Sequence, residues 1–248
     1  FARIFERDQV NACRVLDYWC EQYRIGQWQE FVPPRLLPHV PGRLPHQTTF
    51  TETWPTDSTT ISTGQDQPWN EDSGDAIVAT SRLELVTAAT ATWGRCTTNL
   101  STDNHKHTAT LTGIDGASNR SMAVSCRKID STARTYYFCG TTLNSLPAYQ
   151  RFLRKVVTGT STDLSADTTN PGTSNTISVE ANGSSITGVV GAATFGPIPD
   201  TAITGNLQVG YNGIRAAGTA QGDVQLDTHT AEDLQSVVPV MMRQCRER

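Results

Sequence analysis

Between residues 47 and 229, apolar side chains recur at every second position in short runs, each closed by Gly, Asn, Asp or Pro. Met122, Val124 and Cys126 share one face of an extended segment, as do Ile177, Val179 and Ala181, and Leu207, Val209 and Tyr211. Runs of this kind fall at 93–100, 107–114, 121–129, 134–141, 149–157, 176–181, 185–190, 206–212 and 223–227. Residues 75–86 read as one more, with Ile77, Leu83 and Leu85 in alternation. Period two with polar outer positions predicts antiparallel sheets buried on one side. About ten such strands predict a mainly β chain, a two-sheet antiparallel jelly-roll sandwich. No helical stretch long enough for βαβ crossovers lies between the runs, which excludes a doubly wound fold. Asn182-Gly183 is the strongest hairpin signal, because both residues tolerate positive φ.

The ends follow other patterns. Residues 8–24 predict a helix, with Asp8 as N-cap, Val10, Cys13, Leu16, Cys20 and Tyr23 near helical spacing, and Gly26 as the stop. Pro33, Pro34, Pro38 and Pro41, then Pro45, predict an extended arm. Segment 1–46 holds 7 of the chain's 18 aromatic residues, and a single helix has no second layer on which to bury them. Tyr18, Trp19, Tyr23, Trp28, Phe31 and Arg35 are therefore candidate contacts to a partner surface. Residues 231–234 start helix-like, and an apolar stretch at 237–242 with an Arg-rich end reads as an adhesive tail. The expected organisation is an anchoring arm at 1–46, a sandwich at 47–229 and a tail at 230–248.

Composition sharpens this. The 248 residues include 36 Thr and 17 Ser but only 18% charged residues, which suits short strands and turns. A net charge of -4 excludes a generally basic nucleic-acid binder. No apolar run of about 18 residues predicts a membrane span, and residues 1–20 lack the order of a signal peptide. The six cysteines form no CxxC, so zinc-ribbon and thioredoxin sites are not expected. They read as buried free thiols, although Cys126 and Cys139 fall on neighbouring strands.

The stretch from Tyr149 through Gly159, the run 175–183 ending in Asn182-Gly183, and Thr204-Gly205 leading to Tyr211 together resemble the concanavalin A-like, laminin-G-like jelly-roll superfamily. The run from Phe50 to Trp54, with Trp69, is similar to that family's opening strand, and the resemblance covers roughly 47–229. It implies a jelly roll of the kind found in lectins, glycosidases and tailed-bacteriophage virion proteins. One such module between adhesive ends looks most like a virion structural protein. On that resemblance the chain is a capsid decoration, cement or fibre-attachment component in several symmetric copies, contacting other virion proteins through 1–46 and 237–248. A carbohydrate-binding, lectin-like module is the alternative.

No catalytic set stands out. None of Glu52, Glu71, Glu84 and Glu180 has an acidic partner at i+2 or i+4 in a strand, and Glu84 and Glu180 are solitary, whereas glycoside hydrolysis needs two facing carboxylates; no G-x-S-x-G or G-x-G-x-x-G occurs. The expected chain is not an enzyme. Trp69 and Trp93, with Asn70, are candidate glycan contacts, by a ring platform and an amide. Asp75, Asp200 and Asp227 are candidate Ca2+ ligands, with turn capping as the plainer role, and no other cofactor is implied. His105 and His107 are placed in a solvated turn, and Arg151, Arg154 and Lys155 on an edge strand as charges that block aggregation.

Overall fold

A computed structural model describes residues 49–88, 91–112, 120–129, 134–145, 148–170, 172, 174–215 and 224–234. The helix expected at 8–24, the proline arm with its partner-facing residues, and the tail at 237–248 lie outside the described residues. Fifteen strands run β1 (Thr49–Glu52), β2 (Trp69–Ser73), β3 (Ala76–Ala79), β4 (Arg82–Leu85), β5 (Ala91–Cys96), β6 (His105–Thr112), β7 (Arg120–Lys128), β8 (Tyr136–Ser145), β9 (Ala148–Val157), β10 (Thr160–Asp167), β11 (Ser174–Asn182), β12 (Ser185–Val190), β13 (Ala193–Pro199), β14 (Gln208–Ile214) and β15 (Gln225–Asp233). They form two antiparallel sheets. The eight-stranded sheet is ordered β13-β12-β11-β6-β15-β4-β3, with β1 also on β15; the seven-stranded sheet is ordered β10-β9-β8-β7-β14-β5-β2. The expected sandwich is present, and among the described residues no helix is long and apolar enough to cross a membrane.

The core forms where the alternating faces of the two sheets meet. Met122, Val124 and Cys126 of β7, Tyr137 and Cys139 of β8, and Val209 and Tyr211 of β14 face Ile177, Val179 and Ala181 of β11 and Ala109 and Leu111 of β6. Cys96, Cys126 and Cys139 are buried free thiols, and burial pushes Cys96 up to about 11 and Cys126 up to about 12.

Four expectations need correction. Residues 75–86 are a hairpin, not one strand: β3 turns into β4 through Thr80 and Ser81, whose φ values are 51° and 57°. The β11–β12 hairpin stands, but Asn182 pairs with Ser185, so the loop is Gly183-Ser184 and positive φ falls on Gly183 alone. Residues 231–233 continue β15 instead of starting a helix, because His229, Ala231 and Asp233 alternate inward between β6 and β1. His105 and His107 are not in a solvated turn. They begin β6 on the same face as Ala109 and Leu111, and both are buried.

The histidines join a polar layer inside the sandwich. The Arg127 amide donates to His105 Nε2 (2.8 Å), so His105 carries its proton on Nδ1, which donates to the Thr102 carbonyl (3.1 Å). His107 Nδ1 likewise donates to the Ser125 carbonyl (3.1 Å), so its Nε2 accepts from His229 Nδ1 (3.0 Å). The two rings lie near one plane, at 14°. Trp54 and Trp69 close over His229, at ring distances of 4.9 and 5.2 Å. The buried Glu52 carboxylate accepts from the Trp54, Asp66 and Gln67 amides and from Trp69 Nε1 (3.0 Å). Its four donors explain how a carboxylate sits fully buried beneath two tryptophans.

Candidate functional site

The outer face of the seven-stranded sheet gathers aromatic, amide and charged side chains that core packing does not require. Cross-strand partners form rows across it. One row is Asn70, Arg95, Gly210, Ser125, Phe138, Arg154 and Asp163. The next is Ser73, Trp93, Asn212, Ala123, Gly140, Phe152 and Ala166. Small residues on the middle strands thus separate a Trp93 side from an aromatic side where Phe138 meets Phe152 edge-on at 5.3 Å.

On the Trp93 side the polar groups interlock. Arg95 Nε donates to Asp72 Oδ1 (3.0 Å) and its Nη1 to Gln208 Oε1 (2.9 Å), while Asn70 Nδ2 donates to Asp72 Oδ1 (3.1 Å). The Tyr136 hydroxyl donates to Asn212 Oδ1 (2.9 Å). Three buried atoms here have no partner among the described residues: Asp72 Oδ2, Asn212 Nδ2 and Trp93 Nε1. The Arg134 guanidinium lies over the Trp93 ring, 4.8 Å from its centroid.

Lys128 reaches this face through a backbone irregularity. By alternation with Met122, Val124 and Cys126 it belongs inside. A register shift between β7 and β14, with Arg127 at φ 46°, instead places Lys128 opposite Gln208 on the outer face. Its stem crosses Gly210, where a Cβ would come within 2.7 Å of Lys128 Cδ and 2.3 Å of the Gly94 carbonyl. The ammonium donates to that carbonyl (2.9 Å) and sits 4.9 Å over the Tyr136 ring. Burial pushes Lys128 down to about 7; Asp72 opposes the shift and Arg95 adds to it. Burial also pushes Tyr136 up to about 12.

The same irregularity turns Arg127 toward one end of the sandwich, where its buried guanidinium ties three loops together. It donates to the carbonyls of Asp103 (2.6 Å), Ile203 (2.9 Å) and Gly183 (2.8 Å). Loop 200–206 is thereby fixed beside the outer face.

The sequence-predicted residues separate. Trp93 and Asn70 share the outer face, Trp93 half-buried and Asn70 exposed. Trp69 does not: it is 3% exposed and points into the core, so its ring offers no surface platform. The three candidate aspartates do not converge. Asp227 pairs with Arg82 at one end of the β3–β4 hairpin and Asp75 lies at the other, about 13 Å of strand away. Asp200 belongs to another loop, held by Lys155 and the Tyr137 hydroxyl; burial opposes its ionisation, but these donors outweigh it and keep its carboxyl below the usual range. Among the described residues no group of three His, Cys, Asp or Glu side chains is set to hold a metal ion. Arg154 and Lys155 are not simple edge charges: β9 is an inner strand, with Arg154 bound to Asp163 and Arg151 to Asp167. Sequence reasoning missed Lys128, Arg95, Asp72 and Asn212. Arg95 and Asn212 had a usable signal, since alternation places them opposite core residues Cys96 and Tyr211.

No protein-family model and no curated protein matches the chain. Solved structures do. The carbohydrate binding module CBM66 from Bacillus subtilis superposes with a TM-score of 0.52 at 12% identity, covering 66% of this chain and 95% of that one. A Bacillus licheniformis beta-glucanase gives 0.50 at 8% identity, over 75% and 98% of the two chains. The exoplasmic/lumenal domain of VIP36, in a Ca2+-bound form, gives 0.51 at 8%, over 77% and 93%. At these identities the likeness is one of fold, and it agrees with the concanavalin A-like jelly-roll resemblance of the sequence.

Proposed function

We propose that the chain is a carbohydrate-binding module that holds a glycan against the outer face of its seven-stranded sheet. The observation that carries this reading is the unpartnered trio of Trp93 Nε1, Asn212 Nδ2 and Asp72 Oδ2 beside a half-buried indole. A buried polar atom left without a partner costs about 1–3 kcal/mol. Two donors and one acceptor match sugar hydroxyls, which both accept and donate, and the indole suits the apolar face of a sugar ring. The Arg134 guanidinium stacks on that ring, so binding as proposed requires it to give way to the sugar. The Bacillus subtilis protein of the same fold is a carbohydrate binding module, which supports the reading.

Binding without hydrolysis is part of the proposal. The acidic side chains on this face among the described residues are Asp72 on β2 and Asp163 on β10, each engaged by an arginine. They lie on opposite edge strands, six strand spacings or about 29 Å apart. A hydrolytic pair needs about 5–9.5 Å. The expectation of a virion-mounted component rests on 1–46 and 237–248, outside the described residues, and it does not enter this proposal.

Affinity electrophoresis against a panel of soluble polysaccharides tests the reading. At least one is expected to retard the wild-type chain, with retardation lost in W93A and N212A but kept in R82A, on β4 of the opposite sheet. Equal retardation of W93A and wild type refutes it.

A further inference from the structure

At one end of the same outer face, Arg95, Asn99, Lys128, Gly205, Asn206 and Gln208 line a depression of about 300 Å³. That is room for a monosaccharide unit, and its wall holds two cations. Lys128 is 1% exposed, and among the described residues its ammonium makes one hydrogen bond, to the Gly94 carbonyl. An ammonium has three donors, so two have no hydrogen-bond acceptor among the described residues. Arg95 stands beside it, with 16% of its side chain exposed. Of the carboxylates close by, Asp72 is already bound by Arg95 and Asn70, and Asp103 accepts from the Gly205 amide at the other wall (2.8 Å). A buried ammonium without a counter-ion of its own is costly, and it marks a place where an arriving anion gains most.

We propose that this depression receives the anionic substituent, carboxylate or sulfate ester, of an acidic sugar, with Lys128 Nζ as its principal donor and Arg95 as the supporting charge. The inference rests on the carbohydrate-binding reading and narrows its ligand to acidic glycans. The trio at Trp93, Asn212 and Asp72 contacts the neutral hydroxyls, and Lys128 reads the charge from two rows away, opposite Gln208, its stem crossing Gly210 in the row between. Two of the three amide side chains are committed elsewhere: Asn206 Nδ2 donates to the Arg127 carbonyl (3.0 Å) and Gln208 Nε2 to the Thr97 carbonyl (3.3 Å).

A pH dependence follows. The charged and titratable groups packed on Lys128 are Asp72 from β2, Arg95 from β5 and Tyr136 from β8. Burial makes Lys128 lose its proton as pH rises past about 7. Affinity for an acidic sugar is then greatest below that point and falls above it, whereas affinity for an uncharged sugar stays level.

Calorimetric titration of the full chain tests this with two matched pairs: oligogalacturonate against its methyl ester, and carrageenan oligosaccharides against their desulfated form. At least one acidic member is expected to bind about tenfold more tightly than its uncharged counterpart at pH 6, as a charge-assisted hydrogen bond allows. The preference should disappear in K128M and return in part in K128R, with thermal melts confirming that both fold. In the wild type, which needs no variant, it should shrink between pH 6 and pH 9. Equal affinity within both pairs, or a preference that K128M or pH 9 leaves intact, overturns the acidic-sugar inference while leaving the glycan-binding reading in place. Failure of every polysaccharide in the affinity panel refutes that reading itself.

Discussion

His229 shows how a single proton position propagates through the core. His107 must donate from Nδ1 to a carbonyl, so His229 must donate to His107, and His229 Nε2 is left buried without a partner. Every imidazole in this layer is neutral. Burial, the largest cause, pushes His105 down to about 4 and His107 to about 3, and holds His229 well below the ordinary histidine value of 6.5. The folded state therefore binds fewer protons than the unfolded chain once pH drops under about 6.5. Stability contributed by these rings is complete above that pH and is lost toward pH 4 and below, at about 1.4 kcal/mol per pH unit for each proton deferred. Urea unfolding followed at pH 8, 6 and 5 should show a falling midpoint, and a midpoint constant to pH 5 would contradict the neutral layer. Arg127 makes a second prediction at this scale. R127A strands three loop carbonyls and R127K restores at most part of the fan, so R127A should cost about 3–5 kcal/mol in urea melts.

The strands themselves show which parts of the fold a reader of the sequence can see. The β3–β4 turn carries Thr80 and Ser81 at φ 51° and 57°, a conformation that L-residues resist and that Asn-Gly adopts readily. The double change T80N/S81G should raise stability by about 1–2 kcal/mol in thermal or urea melts, because the Ser81 amide keeps its bond to Asp57 (3.2 Å) whatever the side chain. The same turn is why 75–86 reads as one strand: its central residues carry no turn signature, while Ile77, Leu83 and Leu85 alternate across it. Most core strands are legible, since β12 buries every second side chain and β7 and β11 carry their core apolar residues at alternate positions. β10 is not, because its residues are largely exposed and Thr-, Ser- and Asp-rich, leaving no apolar period to detect. The candidate site is half legible for a related reason. Trp93 and Asn70 stand out by residue type, but Lys128 changes face at a bulge that parity counting cannot register, and Trp69 hides because a buried glutamate satisfies its indole nitrogen.

At the scale of the whole molecule, the last described strand is an inner one. β15 lies between β6 on one side and β1 and β4 on the other, so the eight-stranded sheet has a gap until residues near 233 are in place. Sequence-distant pairing of this kind carries a loop-closure cost before any contact repays it. Ala231 is the test position: it pairs with Phe50 on one flank and His107 on the other and is fully buried. A proline there removes a ladder donor from an inner strand, a change costing about 3 kcal/mol or more. A231P should therefore lose most of its cooperative unfolding, and the emission of Trp54 and Trp69, both packed on His229 two residues away, should shift to the red together. The outer face of the opposite sheet has no direct part in this closure, so W93A and N212A should melt close to the wild type while differing from it in glycan binding. That separation, with stability set in the strand that joins β1 and β4 to β6 and recognition set on the far sheet, is what the layered architecture makes available. If A231P and W93A instead impaired folding equally, the outer-face residues would belong to the structural core and the glycan site would have to be sought elsewhere.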